Sequence, residues 1–287
     1  MSAAAGRLLR SPSGLVGSLL VGVVVAAALV SLVWTPYDPT EVVARRRWRP
    51  VSAEHWFGTD GLGRDVFSQV MAGASTTLLV AAAADALAAV LGTLLAVLGS
   101  VPRRRFAEPV NHLVDVLVAL PTLVLALVLA AALGGSNVVA VVAIGVGEAV
   151  VVARVARAEL ARALVQDYVL AAAAAGSSTL RTVRRHLLPN IAPVLLVQLS
   201  LALSLAVLAE AALSYLGLGA PPPTPSWGRL LGELQSGVRA HPWAVVAPGV
   251  VVVATTLGFN LLGDGLRDAT DPALRRRIPG DPLGVGR

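Results

Sequence analysis

Long apolar runs alternate with short polar ones along this chain. Six runs stand out, at about residues 14–34, 76–101, 110–133, 138–155, 191–213 and 244–262. Each is close to or beyond the roughly 18–20 apolar residues that a helix needs to cross a bilayer. The pattern therefore predicts six membrane-spanning helices. The first run follows a short basic head with Arg7 and Arg10. It is longer than the roughly 7–15 residues of a signal-peptide core, and Trp34-Thr-Pro-Tyr37 is a poor cleavage site. It reads as a retained helix with Trp34 and Tyr37 at the interface. Pro121 falls inside the third run and should kink it.

The most informative polar stretch lies between the fourth and fifth runs. Residues 168–175 are Ala-rich and predict a short helix. Gly176 is placed to end it, because glycine enters the left-handed region without steric cost. Ser177 and Ser178 can cap a second short helix. On that helix Leu180, Val183 and Leu187 share one face, while Arg181, Arg184 and Arg185 share another. Pro189 should stop it, having no amide hydrogen to continue the ladder. The expectation is a helix–turn–helix held at a membrane surface.

Composition sharpens this picture. The chain is 56% hydrophobic and 14% charged, against about 25% charged in soluble domains. All 23 basic residues are Arg, and there is no Cys. Without Lys no Walker A phosphate loop can exist, so the chain is not itself a P-loop ATPase. Without Cys there is no thiol chemistry. The high isoelectric point would suggest nucleic acid in a soluble protein, but the Arg residues flank apolar runs. With six spans and the N-terminus inside, 16 Arg fall on the cytoplasmic side and 7 outside. The positive-inside rule then places the 168–190 stretch and both termini in the cytoplasm, and no nucleic-acid partner is expected.

Four acids fall within apolar runs: Asp85, Asp115, Glu148 and Glu210. A charge at mid-bilayer costs about 2.5–3.5 kcal/mol, while seven Leu of the second run with Val80, Val90 and Val97 return about 0.3–0.6 kcal/mol each. That run still inserts, with Asp85 facing protein or a wet path. Such acids raise the alternative of a proton-coupled secondary transporter, although none has an evident basic partner in the membrane. An intramembrane enzyme is a further alternative. The four His are scattered, no His-Glu-x-x-His occurs, and no metal site is expected. Between the first two runs, Gly58-Thr-Asp-Gly-Leu-Gly-Arg-Asp65 could suggest a Ca²⁺ loop, but it lacks the ligand spacing and closing Glu. It reads as a structural elbow. Trp227 and Trp243, around the stiff Pro221-Pro-Pro-Thr-Pro225 run, suit an interfacial segment.

The 168–190 stretch resembles the cytoplasmic "EAA" loop of ABC importer permeases, through Ala171, Ala172, Gly176, His186, Leu188 and Pro189. The family's opening Glu falls on Leu170. Four further strings, in order, resemble the same subfamily: residues 55–68, Asp115 to Pro121, Glu210 to Gly228, and Phe259 to Pro272. The chain is thus similar to the second-type permease subunit of dipeptide, oligopeptide and nickel ABC importers. The resemblance implies an all-α integral membrane protein with the six-helix type I importer fold. It divides into residues 1–73 (head, first helix, external segment), 74–264 (permease core, coupling loop about 158–189) and 265–287 (basic tail). It implies a multi-pass protein of the bacterial plasma membrane, paired with a related permease. Two cytosolic ATPases would dock on the coupling loops of the two permeases, here on Tyr168, Ala171, Ala172, Gly176, His186, Leu188 and Pro189, and an external binding protein would deliver cargo. ATP and Mg²⁺ would be bound by the ATPases and no cofactor by this chain. Asp115, Pro121 and Glu210 are candidates for the translocation path.

Overall fold

The computed structural model describes Leu8, residues 11–100 and residues 104–270. Arg7, Arg10 and the Arg275–Arg277 tail lie outside the described residues. Helix α1 is Pro12–Ser31, α2 Val66–Ser100, α3 Arg104–Val118, α4 Thr122–Leu133 and α5 Asn137–Leu164. Helix α6 is Asp167–Ala174, α7 Thr179–Thr182, α8 Leu188–Tyr215, α9 Trp227–Leu234 and α10 Trp243–Thr270. Among the described residues five helical stretches are long and apolar enough to cross a membrane, and the bent pair α3–α4 would be a sixth.

The centre of the bundle is the packing of α2 against α5. Ala84, Ala88, Gly92 and Ala96 recur every fourth residue on α2 and are all buried. They meet Gly145, Ala149, Val152 and Ala156 of α5, also buried. A Cβ on Gly92 would sit 2.7 Å from both the Ala149 carbonyl oxygen and the Val152 Cβ, so only glycine lets these backbones come so close. Apolar lipid gives no hydrophobic drive between helices, and close van der Waals contact along small residues takes its place. Helix α2 also runs ten residues further toward its N-terminus than the apolar run suggests. Those residues pack on protein rather than lipid: Val66 and Val70 form a cluster with Leu230, Leu234 and Ala244.

Three expectations about proline and tryptophan are corrected. The third run is not one kinked helix. Helices α3 and α4 meet at a 95° bend, with Pro121 extended at φ −56°, ψ 129° as the N-cap of α4. The residue before a proline is pushed out of helical geometry, and here Ala119 and Leu120 fold back onto Val116 and Leu117 carbonyls. Pro189 does not stop the helix that contains it. Thr179 to Tyr215 run on as a single 37-residue helical stretch. A π-turn over Val183–Leu187 bonds the Leu188 N–H to the Val183 carbonyl five residues back, and Pro189 occupies the start of α8, where a missing N–H is tolerated. Trp227 is not interfacial: it is 0% exposed, and its Nε1 donates to the Val70 carbonyl at 2.9 Å.

Candidate functional site

The end of the bundle that carries the Ala-rich stretch is built on the last turns of α2 and α5. Val169 of α6 and Val183 and Leu187 of the following turns are buried against Ala96, Ala156, Leu160, Ala163 and Ile191, with Leu188 packed alongside. These contacts anchor α6 and α7. Gly176 has φ +77°, and the next N–H, of Ser177, bonds the Ala172 carbonyl at 3.0 Å. That is the left-handed helix ending expected for a glycine at this place. Ser178 is the N-cap of α7 by backbone geometry, but its side chain makes no capping hydrogen bond. Only its carbonyl does, accepting from the Thr182 N–H at 2.9 Å.

What this end leaves uncovered is apolar. Leu180 is 76% exposed, Val165 72%, Leu170 57% and Tyr168 40%. Leu180 was expected beside Val183 and Leu187, but it lies beyond the buried cluster. Ala171 and Gly176 are exposed, Ala172 and His186 half-buried, and Pro189 exposed. The Tyr168 and His186 rings stand 6.3 Å apart. Arg181, Arg184 and Arg185 are exposed and form no ion pair among the described residues. A greasy knob rimmed by cations is a surface made to be covered. Val165 was missed from the sequence, and Leu170 was read there only as the place of the family's Glu, because a helix ending at a membrane hides its free apolar positions among buried ones.

The acids within the helices have distinct surroundings. Asp115 is not without a basic partner: its Oδ1 accepts from Arg157 at 2.8 Å, tying α3 to α5. Glu210 is 1% exposed and its Oε1 accepts from the Ser214 hydroxyl at 2.6 Å. Its Oε2 has no hydrogen-bond partner. Glu148, by contrast, faces a cavity of about 240 Å³ between α4, α5 and α8, with Thr122, Ala126, Gln198 and Leu205 among its walls. Its Oε2 has no hydrogen-bond partner.

At the opposite end, residues 35–65 and α9 form a polar cap. The Asp60 carboxylate accepts from the Leu62 and Arg64 N–H groups at 2.8 and 2.9 Å and from Arg64 Nε at 2.7 Å. Arg64 also bonds Glu233 of α9. Burial works against the Arg64 charge, but Asp60 and Glu233 outweigh it and hold the guanidinium above its ordinary pKa. Asp65 accepts from the Ser68 N–H at 2.7 Å, starting α2, and pairs with His55 Nδ1 at 2.8 Å. Thr59 donates to the Arg46 carbonyl and accepts from Arg49 N–H. The polar side chains from Thr59 to Asp65 are thus engaged within the chain, as an elbow requires.

Residues 88–276 match the family described as "Binding-protein-dependent transport system inner membrane component". The chain is 37% identical over 271 residues to a putative peptide transport system permease protein of Brucella suis, covering 94% of this chain and 91% of that one. It is 33% identical over 269 residues to the dipeptide transport system permease protein DppC of Alkalihalophilus pseudofirmus, covering 94% and 88%. It is 36% identical over 269 residues to the di/tripeptide transport system permease protein DppC of Pseudomonas aeruginosa, covering 91% and 89%.

Proposed function

This chain belongs to the family of binding-protein-dependent transport system inner membrane components, and we propose that it is the permease subunit of an ATP-driven importer of short peptides. The fold is that of a type I ABC importer membrane subunit, and the protein is a multi-pass inner-membrane protein of a multi-component system. Peptide is preferred to nickel as cargo because the relatives above carry peptide names.

The observation that carries the mechanism is the exposed knob formed by Val165, Tyr168, Leu170 and Leu180 on a buried anchor. Two cytosolic ATPases bind and hydrolyse ATP with Mg²⁺, one gripping this knob and the other the corresponding loop of a second permease. Leu170 stands where relatives of this type carry Glu, so the grip here is apolar at that point. Closure of the ATPases drags α6. Val169, Val183 and Leu187 pass the movement to α2, α5 and α8, because packed helices shift as rigid bodies rather than deform. The face of α4 and α8 that exposes Leu123 and Leu205 meets the second permease, and cargo passes between the two. An external binding protein delivers peptide to the polar cap. Both termini and the knob are cytoplasmic.

The test is reconstitution of the full complex in proteoliposomes with a dipeptide, ATP inside or outside. Uptake that needs ATP on the knob's side, and a tag at residue 177 reachable only from the cytoplasm, are expected. Uptake driven by a proton gradient without ATP would refute the reading.

A further inference from the structure

The cavity between α4, α5 and α8 contains an unusual combination. Its walls are mostly apolar, yet Glu148 is 4% exposed, lines the cavity and leaves Oε2 without a partner. Asp85 of α2 lies close enough to interact electrostatically with Glu148, and its Oδ1 is also unpartnered. Two neighbouring carboxyls therefore meet no cation among the described residues. Helices α2, α4 and α8 contain no Arg or Lys, and on α5 Arg154 lies beyond Glu148 with its side chain exposed. A buried carboxylate is costly unless paired and hydrogen-bonded. No described residue of the helices around the cavity supplies the cation that would let Glu148 carry its charge, and a cationic ligand would supply it.

Size narrows what can supply it. A volume of about 240 Å³ is below the roughly 300–1,000 Å³ of pockets that enclose a whole small ligand. It admits one end of a molecule. The amide of Gln198 offers a second polar contact, and Leu205 is a wall residue that is 59% exposed. We propose that this cavity is a subsite for the N-terminal ammonium of the transported peptide, with Glu148 as the residue that receives it. This rests on the peptide-importer reading above. The apolar walls strengthen the pairing by excluding water, and they accept an aliphatic first side chain.

The test uses the complete complex. The chain has no Cys of its own, so Leu205→Cys supplies a thiol whose labelling by a maleimide on this subunit can be followed. Alanyl-alanine is expected to slow that labelling, and N-acetyl-alanyl-alanine is not. Glu148→Gln keeps the shape and removes the charge. It should abolish the protection and lower alanyl-alanine uptake at least about tenfold, the loss of one charge-assisted hydrogen bond, with the amount of complex unchanged. Glu148→Asp should retain much of the protection. The inference is overturned if both peptides protect equally, if Glu148→Gln leaves protection intact, or if labelling responds to the second permease but never to peptide. Absence of ATP-dependent uptake by the unsubstituted complex would overturn the importer reading itself, and this subsite with it.

Discussion

The glycine that ends α6 gives a sharp test of the knob. Gly176 has φ +77°, and a Cβ built on it would meet nothing within 4 Å. Replacing it with Ala therefore adds no clash. The cost is the left-handed backbone alone, about 1–2 kcal/mol for a residue with a Cβ. If α6 must end there to be gripped, the ATPase should bind about 5–30-fold more weakly. Gly176→Asn should recover part of the loss, since Asn visits this region most readily after Gly. Gly176→Pro cannot reach a positive φ at all and should uncouple transport. A matched control exists at the other end of the bundle. Gly217 has φ +79° and the same open surroundings, and the Leu218 N–H bonds the Leu213 carbonyl at 2.8 Å just as Ser177 bonds Ala172. Gly217→Ala carries the same backbone strain far from the knob. The assay is retention of the ATPase subunits on the solubilised complex, beside dipeptide uptake and membrane level. All variants should insert normally. Equal ATPase retention in the wild type and in Gly176→Pro, or equal losses in Gly176→Ala and Gly217→Ala, would refute the reasoning.

Three further outcomes are expected. Trp227→Ala removes a side chain with no exposed surface and should destabilise the polar cap by about 3–5 kcal/mol, seen as proteolysis of the 221–242 segment at lower temperature. Gly92→Val forces a side chain into the α2–α5 seam and should cost about 1–3 kcal/mol or more, seen as a lower melting temperature of the complex, whereas the same change at the open Gly22 should be harmless. Asp115 is 55% exposed in its ion pair with Arg157, so a double-mutant cycle with Asp115→Asn and Arg157→Gln should give a coupling below about 1 kcal/mol. A much larger value, or loss of transport in both single variants, would mean that the pair belongs to the path.

The membrane spans were legible because lipid imposes one simple demand, some 20 apolar residues in a row, and the sequence answers it almost unmixed. The ends were not. Residues 66–75 read as polar connection because their apolar surface is covered by α9, which sequence distance hides. Pro121 and Pro189 carry the same local signal, yet one breaks a helix by 95° and the other sits in a continuous one. The difference lies in a π-turn that no residue pattern announces. Trp227 looked interfacial because an indole near a proline run is usually so. The knob's place was legible from Ala171 to Pro189, but its exposed surface was not, since Leu180 and Val183 look alike until one is seen bare and the other buried. Among the acids, Asp115 and Glu210 drew attention by their motifs. Glu148 has no motif, and only the space beside it sets it apart.

Helix α2 connects both ends of the molecule without interruption. Its 35 residues make a rod about 52 Å long at 1.5 Å per residue. Its first turns are pinned under Trp227, its last lie beside Val169 and Leu187, and its middle is fused to α5 along glycine and alanine. Such a rod has little freedom to flex, so a lean of about 5° swings its far tip by about 4–5 Å over that length. The polar cap and the apolar knob are thus two ends of one lever, and a rigid tilt of α2 moves both.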